Sequence, residues 1–136
     1  MLGEKLYDIT GQVTGTRVLP GAGPNDVQLE VSFAGTGKLL GTSTVESGSY
    51  TATVKAPGVL HAQGQGLSLT ADGEAICWHG FGIGNPTGKG MAARWRGAIH
   101  YSTQSQKYAR LNATAVVFEW EVDADGKCAG TTWEWK

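Results

Sequence analysis

Apolar and polar residues alternate along most of this chain. Val27, Leu29, Val31 and Phe33 alternate with Gln28, Glu30 and Ser32. Tyr50, Ala52 and Val54 alternate with Thr51, Thr53 and Lys55. Trp95, Ile99 and Tyr101 alternate with Arg94, Arg96 and His100, and Val116, Phe118, Trp120 and Val122 with Val117, Glu119 and Glu121. A period of two places every second side chain on one face of a strand, and no segment sustains helical spacing. The pattern predicts strands at 5–18, 27–34, 37–45, 50–56, 59–70, 74–84, 91–102, 109–122 and 128–136.

The intervening residues are turn formers. Asp72-Gly73 and Asp125-Gly126 read as tight type I′ hairpins, which need positive φ at both central residues. Glu46-Ser47-Gly48-Ser49 and Ala56-Pro57-Gly58 read as further turns. Residues 20–26 and 85–90 are longer loops, and 103–108 a polar connection. Mostly short links favour sequential antiparallel pairing, because parallel pairing needs long crossovers. An open sheet of so many strands would leave two long edges, and closure removes them. The expectation is an all-β protein, a closed antiparallel barrel of eight or nine strands forming one domain over 1–136. Glycine is abundant, with 21 residues. The Gly-x-Gly spacings at 35–37, 64–66 and 80–84 read as strand bends at barrel corners.

Composition narrows the function classes. At 136 residues the chain can bury a core without staples. A net charge of -1 supplies no basic field, so no nucleic-acid partner is expected. No apolar run reaches the roughly 18 residues of a bilayer span, and residues 1–19 lack a signal-peptide core. A soluble, cytoplasmic protein without a membrane partner is therefore expected. Cys77 and Cys128 have no CxxC spacing and read as free, buried and inert thiols.

Most candidate motifs dissolve on inspection. Residues 80–90 are glycine-rich, but they match neither GxxxxGK[ST] nor GxGxxG, and a strand follows where a phosphate loop needs a helix. Asn112-Ala113-Thr114 matches a glycosylation sequon inside a predicted strand and reads as chance. His61, His79 and His100 lack the spacing of a metal pair, so no metal or other cofactor is expected. No GxSxG or SxxK nucleophile signature is present.

His79 is the histidine of most interest. If Cys77, Phe81 and Ile83 face inward, so does His79, either as a ligand-polarising group or as a core histidine with a backbone partner. Arg94 and Arg96 on one strand, with Glu119 and Glu121 on the next, form either an exposed charge ladder or a buried pair. Five tryptophans complete the picture: Trp78, Trp95, Trp120, Trp133 and Trp135. Trp133 and Trp135 share one face of the last strand, and Trp78 faces opposite to His79. Aromatics on both barrel faces raise the expectation of a homo-oligomer.

The ordered motifs carry a resemblance. Gly35-Thr36-Gly37-Lys38-Leu39-Leu40-Gly41, Gln63-Gly64-Gln65-Gly66 and Asp72-Gly73-Glu74 come first. Trp78-His79-Gly80-Phe81-Gly82-Ile83-Gly84 and Trp95-Arg96-Gly97 follow. Leu111-Asn112-Ala113-Thr114, Phe118-Glu119-Trp120-Glu121-Val122-Asp123 and Trp133-Glu134-Trp135-Lys136 close the series. Over residues 30–136 this pattern resembles an uncharacterised family of small prokaryotic barrels, similar in fold to allene oxide cyclase-like and calycin barrels. The resemblance implies a closed barrel. Plant allene oxide cyclases enclose a fatty-acid-derived epoxide in an apolar cavity and steer its cyclisation, but none of their catalytic positions maps onto residues here.

Three readings of function follow. The first is a barrel that binds a small apolar ligand, lined by Trp95, Tyr101, Phe118 and Trp120 and oriented by His79. The second is a cyclase- or isomerase-like enzyme using a shaped dry cavity with His79 or Glu119. The third is an interaction module that oligomerises through outward aromatics.

Overall fold

A computed structural model describes residues 1–55 and 58–136. Among these, eight strands run in chain order: β1 (Leu2–Leu19), β2 (Gln28–Leu39), β3 (Thr42–Lys55), β4 (Val59–Thr70), β5 (Ala75–Pro86), β6 (Ala93–Ser102), β7 (Val116–Val122) and β8 (Lys127–Trp135). Each strand pairs antiparallel with its sequence neighbour, and β1 pairs with β8 to close the barrel. The backbones of Met1 and Lys136 extend that seam at one end, with a 2.9 Å bond from the Lys136 amide to the Met1 carbonyl. No helix among the described residues is long and apolar enough to cross a membrane.

The strand count resolves to eight because two expected breaks are replaced by one turn. Residues 35–36 lie within β2, and Glu46-Ser47-Gly48-Ser49 lies within β3. The actual turn is Leu40-Gly41, where both residues have positive φ, 48° and 83°. This is the geometry of a type I′ hairpin. Leucine is disfavoured in that region by about 1–2 kcal/mol, so nothing in the residue type announces the turn. The half-buried Leu40 side chain packs against the core instead.

At 71–73 and 124–126 the aspartate-glycine pairs do form turns, but only Gly73 and Gly126 have positive φ. Each is a three-residue loop ending in a left-handed glycine, not the two-residue form. Ala56 and Pro57 lie outside the described residues. The expected start of a strand at 109 is also corrected: Ala109–Ala113 is a 3₁₀ turn. Asn112 of the sequon is committed to structure there. Its side chain accepts from the Thr103 amide at 2.8 Å and donates to the Thr103 carbonyl at 2.9 Å.

Antiparallel order puts the connections after β2, β4 and β6 at one end, with both chain termini. The 103–115 connection lies across that end. Its Tyr108 and Leu111 are buried in the same cluster as Leu6, Leu39 and Ile76. Asp72 on the β4–β5 loop anchors it, bonding Lys107 and accepting from the Tyr108 hydroxyl at 3.2 Å. The hydrogen bond from Lys107, then that from Thr70, holds the Asp72 carboxyl down at about 2. Asp72→Asn is expected to loosen this plug. Amides of 103–113 should then exchange faster with deuterium while β6 stays protected; unchanged exchange would show that the apolar side chains hold the plug alone.

Candidate functional site

The inner face has a simple composition rule. On β3 to β6 the inward positions include Gly48, Gly64, Gly66, Gly80, Gly82, Gly84 and Gly97, and on β8 Gly130. Large rings lie over several of them. A Cβ at Gly66 would sit 2.3 Å from Trp78 Nε1, and one at Gly84 2.7 Å from Trp95 Cε3. At Gly130 the nearest atom would be Trp120 Cε3 at 2.5 Å. Gly66, Gly84 and Gly130 are seats for tryptophans, and Gly48 and Gly82 for Phe33 and Phe118: a barrel of this size packs its interior by matching large and small residues. This extends the reading of Gly-x-Gly as corner bends. The period of two in glycine is the signal that could have revealed it.

The pattern also fixes the inward face of β5, and it reverses the phase expected from Cys77, Phe81 and Ile83. Ile76, Trp78, Gly80 and Gly82 point inward, while Cys77, His79, Phe81 and Ile83 are exposed. His79 therefore lies on the outer surface, its ring 5.9 Å from that of His100. It does not reach the barrel interior. Trp78 needs the glycine seats, and glycine has no side chain to mark a face as apolar. Cys77 is free and exposed, Cys128 free and buried.

The other expected lining residues come together. Trp95 and Trp120 are direct cross-strand partners, and Trp95, Tyr101, Phe118 and Trp120 all line one cavity of about 90 Å³ that opens to solvent. Tyr50 packs edge-on against Trp95 at 5.6 Å between ring centroids, and Phe33 lies 4.7 Å from Trp120. Glu119 is on the opposite face. It joins Arg94, Arg96 and Glu121 in a half-exposed ladder with N–O distances of 3.3–3.5 Å, so the exposed alternative holds. Trp135 and Phe81 are the exposed aromatics of the outer surface.

One functional group went unread in the sequence. Glu46, 3% exposed, lines the cavity on the side of the plugged end. The Ser68 hydroxyl donates to its Oε1. Tyr7 Oη lies 3.5 Å from Ser68 Oγ and shares a 2.7 Å hydrogen bond with Thr44. Burial pushes the Glu46 carboxyl up, against the opposing hydrogen bonds of Ser68, Tyr7 and Trp78. Burial, and then the charge of Glu46, raises Tyr7 to about 12. Tyr101, bonded to Thr132 at 3.1 Å, is also raised, first by burial. A buried carboxyl that binds its proton more tightly than usual can serve as a hydrogen-bond donor or a proton source.

The far side of the cavity contrasts with this satisfied network. Trp120 Nε1 is buried with no hydrogen-bond partner. A buried orphan donor costs about 1–3 kcal/mol. The Tyr50 hydroxyl is close enough to respond to Trp120, while burial raises it to about 12. No hydrogen bond of good geometry joins the two, however.

No family model matches the sequence, and no curated protein is significantly similar to it. Solved structures do share its fold. A protein of unknown function from Clostridium acetobutylicum is 15% identical, with 98% of each chain covered and a TM-score of 0.83. A beta-barrel like protein from Acinetobacter baumannii is 18% identical over 98% of this chain and 94% of that one, with a TM-score of 0.79. An enzyme from Penicillium herquei is 16% identical over 96% and 92% of the two chains, with a TM-score of 0.68. At these identities the likeness is one of fold. Among the described residues no cluster of three or more His, Cys, Asp or Glu side chains is placed to hold a metal.

Proposed function

We propose that this barrel binds a small, flat, apolar molecule carrying an oxygen, with Glu46 as the polar anchor. The observation that carries the reading is the cavity: aromatic walls, an interior cleared by glycines, and one buried carboxyl facing it. An apolar cavity of about 150 Å³ takes benzene, so a volume of about 90 Å³ makes a single ring the upper limit, admitted only as the lining side chains shift. Such pockets use apolar walls for affinity and a few polar groups for orientation. This replaces His79 with Glu46 as the orienting group. The resemblance to allene oxide cyclase-like barrels points the same way, since the plant enzymes enclose an apolar substrate.

Binding is tested with phenol by calorimetry and by tryptophan fluorescence. Saturable binding is expected in the wild-type protein. Ala62→Leu, which fills the cavity from β4, should abolish it while keeping the fold. Absence of binding to the wild type at millimolar probe would sink the proposal.

Glu46 also favours a second reading, acid–base chemistry of the isomerase or cyclase type on the same ligand. A barrel of this fold from Penicillium herquei is an enzyme, so the scaffold is compatible with catalysis. Here Glu46→Gln should keep ligand binding and lose turnover; a Gln variant that still turns over would exclude it. Self-association through the exposed Phe81 and Ile83 on β5 is the remaining proposal for a partner, and solution mass decides it.

A further inference from the structure

The strand register brings together two histidines that lie far apart in the chain. His79 on β5 and His100 on β6 are direct cross-strand partners, and both are exposed on the outer face of the barrel. Opposite side chains of an antiparallel pair have Cβ atoms about 4.5–5.5 Å apart. Here the two imidazole centroids are 5.9 Å apart, with the rings tilted at 49°. Metal-ligand spacings are read within one short segment, so the sequence hides a pair that forms only when β5 meets β6. The third histidine, His61, stands apart from it, pairing with Ile83 further along β5.

The backbone beneath the pair is held in place. Ile99 and Tyr101, which flank His100, are buried, and Tyr101 shares a hydrogen bond with Thr132. Trp78 and Gly80 flank His79, and Gly80 lies so close to β6 that a Cβ would meet the Ala98 carbonyl oxygen at 2.2 Å. Both imidazoles therefore project from strands anchored by the core, while the rings turn at the surface. A tetrahedral zinc ion bound by two imidazole nitrogens at about 2.0–2.1 Å sets the ring centroids about 5 Å apart. Closing to that separation from 5.9 Å takes a small rotation of exposed side chains.

We propose that His79 and His100 chelate a divalent late transition metal, copper(II) or zinc, between β5 and β6. Imidazole suits both ions, and copper(II) is generally bound more tightly. Among the described residues no third His, Cys, Asp or Glu completes a cluster there, so water or a small anion fills the remaining positions. An open position of this kind is what separates a reactive metal site from a structural one. The site is independent of the cavity inside the barrel and of what that cavity binds.

The test uses untagged protein carrying Cys77→Ser, because Cys77 is a free, exposed thiol two residues from His79 and would compete for the metal. Copper(II) is titrated in by calorimetry, with citrate as a competing ligand. One equivalent per chain is expected to bind ahead of the citrate. His79→Asn and His100→Asn should each weaken it about a hundredfold, the low end of what a second, intramolecular contact adds. The double variant should lose little more, since a single imidazole no longer chelates. His61→Asn should leave the affinity unchanged, and zinc should follow the same order more weakly. Absence of a copper equivalent held against citrate would overturn the proposal. So would single variants that halve the stoichiometry at unchanged affinity, the mark of two independent surface histidines.

Discussion

Trp95→Ala is expected to lower folding stability by about 3–5 kcal/mol, the range for removing a buried tryptophan. Trp95 is 4% exposed, meets Tyr50 edge-on, and pairs across strands with Trp120. Its ring lies on Gly84, so the reciprocal change should also destabilise. A methyl at Gly84 would meet three atoms of the indole at 2.7–2.8 Å, and overpacking of that kind costs about 1–3 kcal/mol. The pair gives the sharper test. Once the ring is gone, the alanine at 84 has space, so Gly84→Ala with Trp95→Ala should cost clearly less than the sum of the single changes. Urea unfolding of the four proteins measures this coupling. Additive losses would mean that Gly84 is needed for backbone reasons and does not serve as a seat for Trp95.

The second large effect is a pH dependence centred on Glu46. Burial raises its carboxyl above the ordinary value of 4.5. Below that value both folded and unfolded states hold the proton, and Glu46 does not weaken the fold. As pH rises, the unfolded chain ionises first, so stability is lost until the pH passes the folded-state value. Glu46→Gln removes this loss while preserving shape and a hydrogen-bonding end. The variant should match the wild type near pH 4 and exceed it at pH 8. The lowered carboxyls of Asp8, paired first with Lys5, and of Asp72, paired first with Lys107, act with the opposite sign. They are common to both proteins and cancel in the difference. Urea midpoints that run parallel from pH 4 to pH 8 would show that Glu46 is not titrating in the fold.

The same residue shows where sequence reading stops. Glu46 sits in Glu46-Ser47-Gly48-Ser49, a run of turn-forming types, and its adjacent apolar residue, Val45, is exposed and marks the opposite face. In the barrel that run is mid-strand, because Gly48 lies beneath the rings of Phe33 and Trp78. A glycine that makes room for a distant ring has no local signature. His79 failed for the same reason in reverse. The exposed Phe81 and Ile83 are the large apolar side chains of the second half of β5, so alternation assigned them to the core. The true inner face is marked mainly by Gly80, Gly82 and Gly84. Where both faces carried side chains, as on β6 and β7, alternation placed Trp95, Tyr101, Phe118 and Trp120 inward, and the structure has them lining the cavity.

Local sequence thus determined the all-β class, the sequential antiparallel order, the closure and the aromatic lining from β6 and β7. These follow from alternation and from short links, both properties of neighbouring residues. Only the tertiary structure decided the inward phase of β5, the Leu40-Gly41 turn and the burial of Glu46 beside Tyr7 and Ser68. Each depends on what lies across the barrel: a ring that needs a vacant seat, a core that takes up Leu40, a hydroxyl on another strand that satisfies a carboxylate. Those partners are remote in the chain and meet only when β1 closes on β8.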